Sequence, residues 1–370
     1  MEMRTGTANL PLHTGGVPRW LFVRMRELAR QIVILMVEEF GTVELLRRLA
    51  DPFWFQALGA LLGFDWHSSG LTTTTGAALK EGLRGLEREL GLFIAGGKGA
   101  TSRKTPQEIT AWGPELKVDP EGLVYASRMS AKVDSAAFQD GYQIYHHLFV
   151  FDREGHWAVI QQGMNEQTRY ARRYHWLSLQ VADFVEEPHS AICSPRRDEA
   201  LNLVSRLSRE ARRASAELAR ERPDRLTREL ERLHELELTL PARHRLLLRD
   251  IHPERLERIF IRTYERQPTG FEELLGLEGV GPKTIRALAL LAELVYGTQI
   301  DWRDPARYSF AHGGKDRHPY PLDRRGYDRT IELLRRAIEQ AKLGRREKLE
   351  ALKRLARWDE GLRSDIDIKS

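Results

Sequence analysis

The order of apolar and polar positions gives the chain three textures. Over Trp20–Leu49 apolar residues recur at three- and four-residue spacing, which predicts two helical stretches with a break near Gly41. Phe53–Phe64 predicts another apolar helix, and Ser135–Gln143 a short one. Tyr145–Gln162 reads YHHLFVFDREGHWAVIQQ, two runs of strand formers joined at Arg153-Glu154-Gly155, which predicts a β-hairpin. On its first strand His147, Phe149 and Phe151 share one face, while His146, Leu148 and Val150 share the other. Residues 196–250 contain no glycine, are dense in Arg and Glu, and break at Pro223, which predicts a charged helical connector. From His252 to Tyr296 the helices shorten, and a Gly-, Pro- and Asp-rich loop (Asp301–Gly326) precedes a basic helix from Tyr327 to about Arg357. The class is α+β. Residues 1–195 form an α+β domain, 196–250 the connector, and 251–370 an all-α domain.

Composition narrows the partners. The 370 residues are 41% hydrophobic and carry a formal charge of +5, with 47 Arg against 11 Lys. A basic balance suits a polyanion, and arginine suits phosphate forks, although the same bias serves the ion-pair networks of heat-stable proteins. The single cysteine, Cys193, excludes a disulfide framework or a four-cysteine zinc site. No apolar run reaches the ~20 residues of a membrane span, and no signal-peptide layout opens the chain, so a cytoplasmic protein is expected. The charged connector is expected to be a solvated face, and the other reading makes it the surface of a homodimer.

The most specific motif lies between Phe271 and Leu291. A short helix ends at Gly276, the turn Gly279-Val280-Gly281 follows, and Pro282 opens a second helix where its missing N–H costs nothing. This is the pattern of a helix–hairpin–helix. Glycines bring the backbone close to a ligand, and amides at the second helix N-terminus favour an anion. A DNA phosphate is the expected ligand, with Val280 anchoring the turn and Lys283 and Thr284 reinforcing the contact. Such contacts hold the backbone without reading bases.

Two N-terminal features could carry chemistry. Gly96-Gly97-Lys98-Gly99-Ala100-Thr101-Ser102-Arg103-Lys104 offers glycines, hydroxyls and three cations, Lys98, Arg103 and Lys104, as a phosphate contact, without the order of a nucleotide P-loop. The polar set Lys132, Asp134, Asp140, His146, His147 and Gln162 suits a metal-dependent phosphodiesterase. In that reading Asp134 and Asp140 hold Mg2+ or Mn2+, and the metal activates water. Trp54, Phe55 and Trp66 are expected in the core, Cys193 as a packed thiol, and His312 within a third polar loop.

Two resemblances extend this reading. The motif at 271–291 is similar to the helix–hairpin–helix of DNA repair glycosylases, in which a lysine after the hairpin and an aspartate beyond the second helix are catalytic. Lys283 and Asp301 stand at those positions, although the residues after Asp301 do not continue that pattern. Over most of its length the chain resembles the uncharacterised "domain of unknown function 763" family. LHTGGVPRWLF (12–22), DPFWFQALGALLGFDWHSSG (51–70), AGGKGATSRKTP (95–106), YASRMSAKVDSAAFQDGYQIYHHLFVF (125–151), QQGMN (161–165), ARRYHW (171–176) and YSFAHGGKD (308–316) carry that resemblance. It implies no chemistry. The expected function is DNA processing in repair or related metabolism, by a metal-dependent nuclease without strong sequence preference. The alternatives are a glycosylase or lyase using Lys283 and Asp301, with His312 as a further candidate, and a DNA-binding protein without catalysis.

Overall fold

The structure is a computed structural model that describes residues 17–64, 69–194, 199–235, 251–306, 324–340, 344 and 346–356. Helix α1 (Arg19–Ala50) bends at Gly41, whose φ of 82° no helix accommodates. Asp51 caps α2 (Pro52–Leu62), its carboxylate accepting from the Phe53 and Trp54 amides, and α2 ends at left-handed Gly63. Helix α3 (Gly70–Leu83) and the single turn α4 (Glu87–Leu90) lead into strand β1 (Leu92–Lys98). Helices α5 (Thr105–Ala111) and α6 (Pro120–Lys132) follow.

Strands β3 (Gln143–Asp152), β4 (Trp157–Asn165), β5 (Tyr170–Leu177) and β6 (Ala191–Cys193) join β1 in an antiparallel sheet of order β1-β3-β4-β5-β6. The hairpin expected at Arg153–Gly155 forms there. A second, two-stranded sheet pairs β2 (Phe138–Gln139) with β7 (Leu201–Asn202).

The large sheet is covered on both sides, so each strand is apolar in both registers. Phe149, Phe151, Trp157, Val159, Tyr174 and Trp176 face one core, and Leu148, Val150, Ala158, Ile160 and Leu177 face the other. Helices α1–α3 fill the second core, together with Leu334 and Ile338 of α12 (Arg324–Gln340) and Ala351 and Leu355 of α13 (346–356). The first core takes α6, α7 (Arg209–Leu218), α8 (Pro223–Glu235), α9 (Pro253–Arg266), α10 (Phe271–Gly276) and α11 (Pro282–Tyr296). The boundaries expected near residues 195 and 250 mark no break in this core. Its buried members run from Phe93 to Ala306.

Two element expectations are corrected. Ser135–Gln143 is not a helix: α6 widens into a π-turn at Val133–Ala137 and then enters β2. Asp134, at the start of this wider turn, is fully buried. The 196–250 segment breaks at Pro223 as expected, but its described residues are not a purely helical, solvated connector. It begins with β7, its helices are separate, and Leu226, Leu230 and Leu233 are buried. Only its outer faces carry the expected helical pairs, such as Arg213–Glu217 and Arg225–Glu221.

Candidate functional site

Helices α10 and α11 meet in a tight turn. Gly279 has a φ of +86°, and Gly281 precedes α11 in extended conformation with no side chain among the described residues capping the helix amides. Val280 is buried and anchors the turn, whereas Gly279, Pro282 and Lys283 are exposed. Thr284 is buried, so it does not reinforce a surface contact as expected.

The turn is held from behind. Lys132 donates to the carbonyls of Val280 (2.5 Å) and Leu277 (3.3 Å). Gln139 donates to the Pro282 carbonyl (2.9 Å) and accepts from Arg286 (2.8 Å). Lys132, expected as a catalytic cation, is therefore a brace, and burial holds its pKa below the usual lysine value. Its cation satisfies carbonyls at the α10 end, where the helix dipole also favours positive charge.

A buried polar chain runs beneath the sheet. Asp134 accepts from Gln161 Nε2 (2.5 Å) and Trp176 Nε1 (3.0 Å) on one oxygen, and meets His189 Nε2 (2.5 Å) with the other. Gln161 Oε1 meets His147 Nδ1 (2.9 Å), whose Nε2 meets Ser127 Oγ (2.9 Å). Ser127, Asp134, His147 and Gln161 are all buried. The far end opens: His189 lines a cavity of about 380 Å3 together with Ser190, Asn202, Ser205, Asp301 and Arg303. Asp301 accepts from Ser205 Oγ (2.7 Å) and Arg303 Nε (2.9 Å). Burial works against its charge, but these hydrogen bonds hold its pKa below the usual aspartate value.

Asp140 belongs to a different set. It accepts from Arg172 (2.8 Å), Tyr174 Oη (2.6 Å) and the Tyr142 amide (3.0 Å), and Arg172 also meets Asp304 (2.5 Å). The expected pairing of Asp134 and Asp140 around Mg2+ or Mn2+ does not fit this arrangement. Every oxygen of both carboxylates already bonds an internal donor, and among the described residues no three His, Cys, Asp or Glu side chains form a metal-holding group.

His146 and Gln162 are corrected as well: they face the other core. The sequence doublets His146-His147, Gln161-Gln162 and Arg172-Arg173 each place one residue on each sheet face. Gln162 donates to the Ser69 carbonyl (2.8 Å) and Tyr145 Oη (2.5 Å). His146 is buried with neither ring nitrogen partnered among the described residues, and burial, with help from His147 and Lys98, lowers its pKa to about 3.

The folded state thus resists a proton that the unfolded chain takes up below about pH 6.5. Stability should therefore fall as pH drops from 6.5 toward 3. In urea melts at pH 7, 6 and 5, His146→Phe should reduce that slope by roughly 1 kcal/mol per pH unit. An unchanged slope would remove His146 from the account.

The glycine-rich segment is explained by packing more than by a ligand. A Cβ on Gly96 would lie 2.2 Å from the His147 carbonyl oxygen. The Gly96 amide donates to Glu108 (2.7 Å) and its carbonyl accepts from Lys80 (2.8 Å), so neither group is free for a phosphate. Lys98, Arg103 and Lys104 are exposed. Lys98 lies over the Tyr145 ring, and both line a larger cavity of about 850 Å3.

The family model described as "Protein of unknown function (DUF763)" matches residues 6–322, which span the sheet, the buried chain and the α10–α11 turn. The chain belongs to that family. No curated protein and no solved structure matches the DUF763 chain. Cys193 of this DUF763 protein is buried, and burial pushes its thiol up to about 12, which makes it a packed thiol and not a nucleophile. Trp54 and Phe55 are core residues, while Trp66 and His312 lie outside the described residues.

Sequence reasoning missed His189 and Gln161. Gln161 was available from strand alternation, because it shares the His147 face while Gln162 does not. His189 lies in an irregular stretch before β6 and carries no periodic signal.

Proposed function

We propose that this chain is a DNA-binding protein that holds the phosphate backbone through the α10–α11 turn and does not read base sequence. One observation carries the reading. Exposed Gly279, Pro282 and Lys283 surround the uncapped amides of a 15-residue helix, and Lys132 and Gln139 fix the turn from within. Amides aimed outward at the positive end of a helix dipole, beside one exposed cation, are what a phosphate needs. Contacts of this kind to backbone phosphate position the DNA without specifying its sequence.

The proposal stops at binding. The residues expected for metal-assisted cleavage are committed to separate internal networks, and Asp301 is bonded to Ser205 and Arg303. Fluorescence anisotropy with two labelled duplexes of unrelated sequence tests the reading. Similar affinities that weaken steeply with salt are expected. A strong preference for one sequence, or no binding at low salt, would end it.

A further inference from the structure

Helix α9 sorts its exposed charges by sign. At 3.6 residues per turn, Arg255, Arg258, Arg262 and Arg266 fall within roughly 80° of one another, and all four are exposed. Leu256, Phe260 and Thr263 are buried on the side that packs. Glu254, Glu257 and Glu265, also exposed, lie roughly 100° further round, away from the arginine row.

Helix α8, equally rich in both signs, shows what a solvated charged face does in this molecule. Arg225–Glu221, Arg228–Asp224 and Arg232–Glu229 close ion pairs along it. On α9 the arginines stay open. Arg255, Arg258 and Arg266 meet no carboxylate among the described residues, and Arg262 meets Glu278 at 3.7 Å. Glu254 and Arg258 stand at the spacing that favours a pair, yet close none. Like charges in a row repel, and a polyanion laid along them relieves that repulsion.

The row is joined to the α10–α11 turn. Arg262 donates to the Glu278 carbonyl (2.9 Å), and a Cβ on Gly279 would lie 3.0 Å from Ile259 and 3.2 Å from the Arg262 guanidinium. Ile259 and Arg262 bracket the edge of α9 on which Arg255 and Arg266 lie, so the row runs past the turn that carries Lys283. From Arg255 to Arg266 it extends roughly 16 Å, the axial length over which one DNA strand presents about five phosphates.

We infer that α9 is a second DNA-contact element, on which Arg255, Arg258 and Arg266 extend the hold of the α10–α11 turn along the duplex backbone. The inference rests on the DNA-binding reading above. Each guanidinium fork takes two phosphate oxygens, and its weak hydration makes the exchange of water for phosphate mild. Glu278 is the acid beside the row, and its contact with Arg262 is too long for a hydrogen bond, so a phosphate there displaces little.

The test is anisotropy of the full-length protein with one labelled duplex over a range of salt. The triple variant Arg255→Gln, Arg258→Gln, Arg266→Gln should keep the wild-type circular dichroism and give a log–log slope shallower by about 2.7. Between about 50 and 200 mM salt, the wild type should then lose roughly 40-fold more affinity than the variant. Arg258→Gln alone should account for about 0.9 of the slope. The matched variant Arg47→Gln, Arg335→Gln, Lys353→Gln removes three exposed charges from helices on the other side of the sheet and should keep the wild-type slope. A row variant with the wild-type slope overturns the α9 assignment and leaves the turn reading intact. An equal loss in the matched variant also overturns it, since net charge would explain both. Displacement of the duplex by polyglutamate as readily as by unlabelled duplex of equal charge overturns DNA as the partner of the row. Absence of any binding by the wild type overturns the turn reading first, and the α9 assignment with it.

Discussion

Replacing Arg172 with methionine should cost about 3–5 kcal/mol of stability, because it leaves buried charge without its counter-charge. The Arg172 side chain is fully buried and lies between Asp140 at 2.8 Å and Asp304 at 2.5 Å, both carboxylates 2% exposed. Burial alone would discourage its charge, yet the two carboxylates more than offset that and hold the guanidinium protonated. It also stacks over Tyr142 at 4.5 Å. Methionine keeps much of the volume but strands two carboxylates in a low dielectric. The triple variant Arg172→Met, Asp140→Asn, Asp304→Asn should recover most of the loss, since removing a buried ionic set together is far milder than breaking it. Urea melts of the single and triple variants check this. Equal losses in both would mean that packing, and not charge, explains the effect. The consequence reaches the cavity, because Asp304 belongs to the same segment as Asp301 and Arg303.

Asp134→Ala should be comparably damaging, at about 3–5 kcal/mol, through unmade hydrogen bonds. Three buried or nearly buried groups, Gln161, Trp176 and His189, converge on this carboxylate. Each donor left dry costs about 1–3 kcal/mol, moderated by whatever water enters the gap. Asp134→Asn should cost less, because its amide oxygen still accepts from Trp176 or Gln161 and only the His189 contact must rearrange. Chemical denaturation of both variants gives the ordering. If Asn proves as costly as Ala, the negative charge itself matters more than the acceptor count.

Much of the fold is legible in the chain, at the level where periodicity speaks. Spacing locates α1 with its bend at Gly41, and strand alternation separates His146 from His147. What periodicity does not reach is pairing across long sequence separation. Lys132 beside Asp134 looks like a catalytic pair, but its acceptors are carbonyls 145 and 148 residues away. Asp134 and Asp140 look like a metal pair, but Arg172 and His189 claim them separately. The π-turn at Val133–Ala137 also escapes, because one widened turn leaves no mark on composition. The doublets are instructive in a further way. Each reads as a local cluster in sequence, and each is divided by the sheet between two unrelated surroundings.

The central claim, that the α10–α11 turn grips DNA phosphate, is tested most directly by the salt dependence of binding in Lys283→Ala. Affinities for one labelled duplex, measured by anisotropy over a range of salt, should give a linear log–log plot for the wild type. The variant should bind less tightly at low salt, with a slope shallower by about one, as expected when one fewer phosphate is neutralised. A variant whose affinity and slope match the wild type would contradict the account.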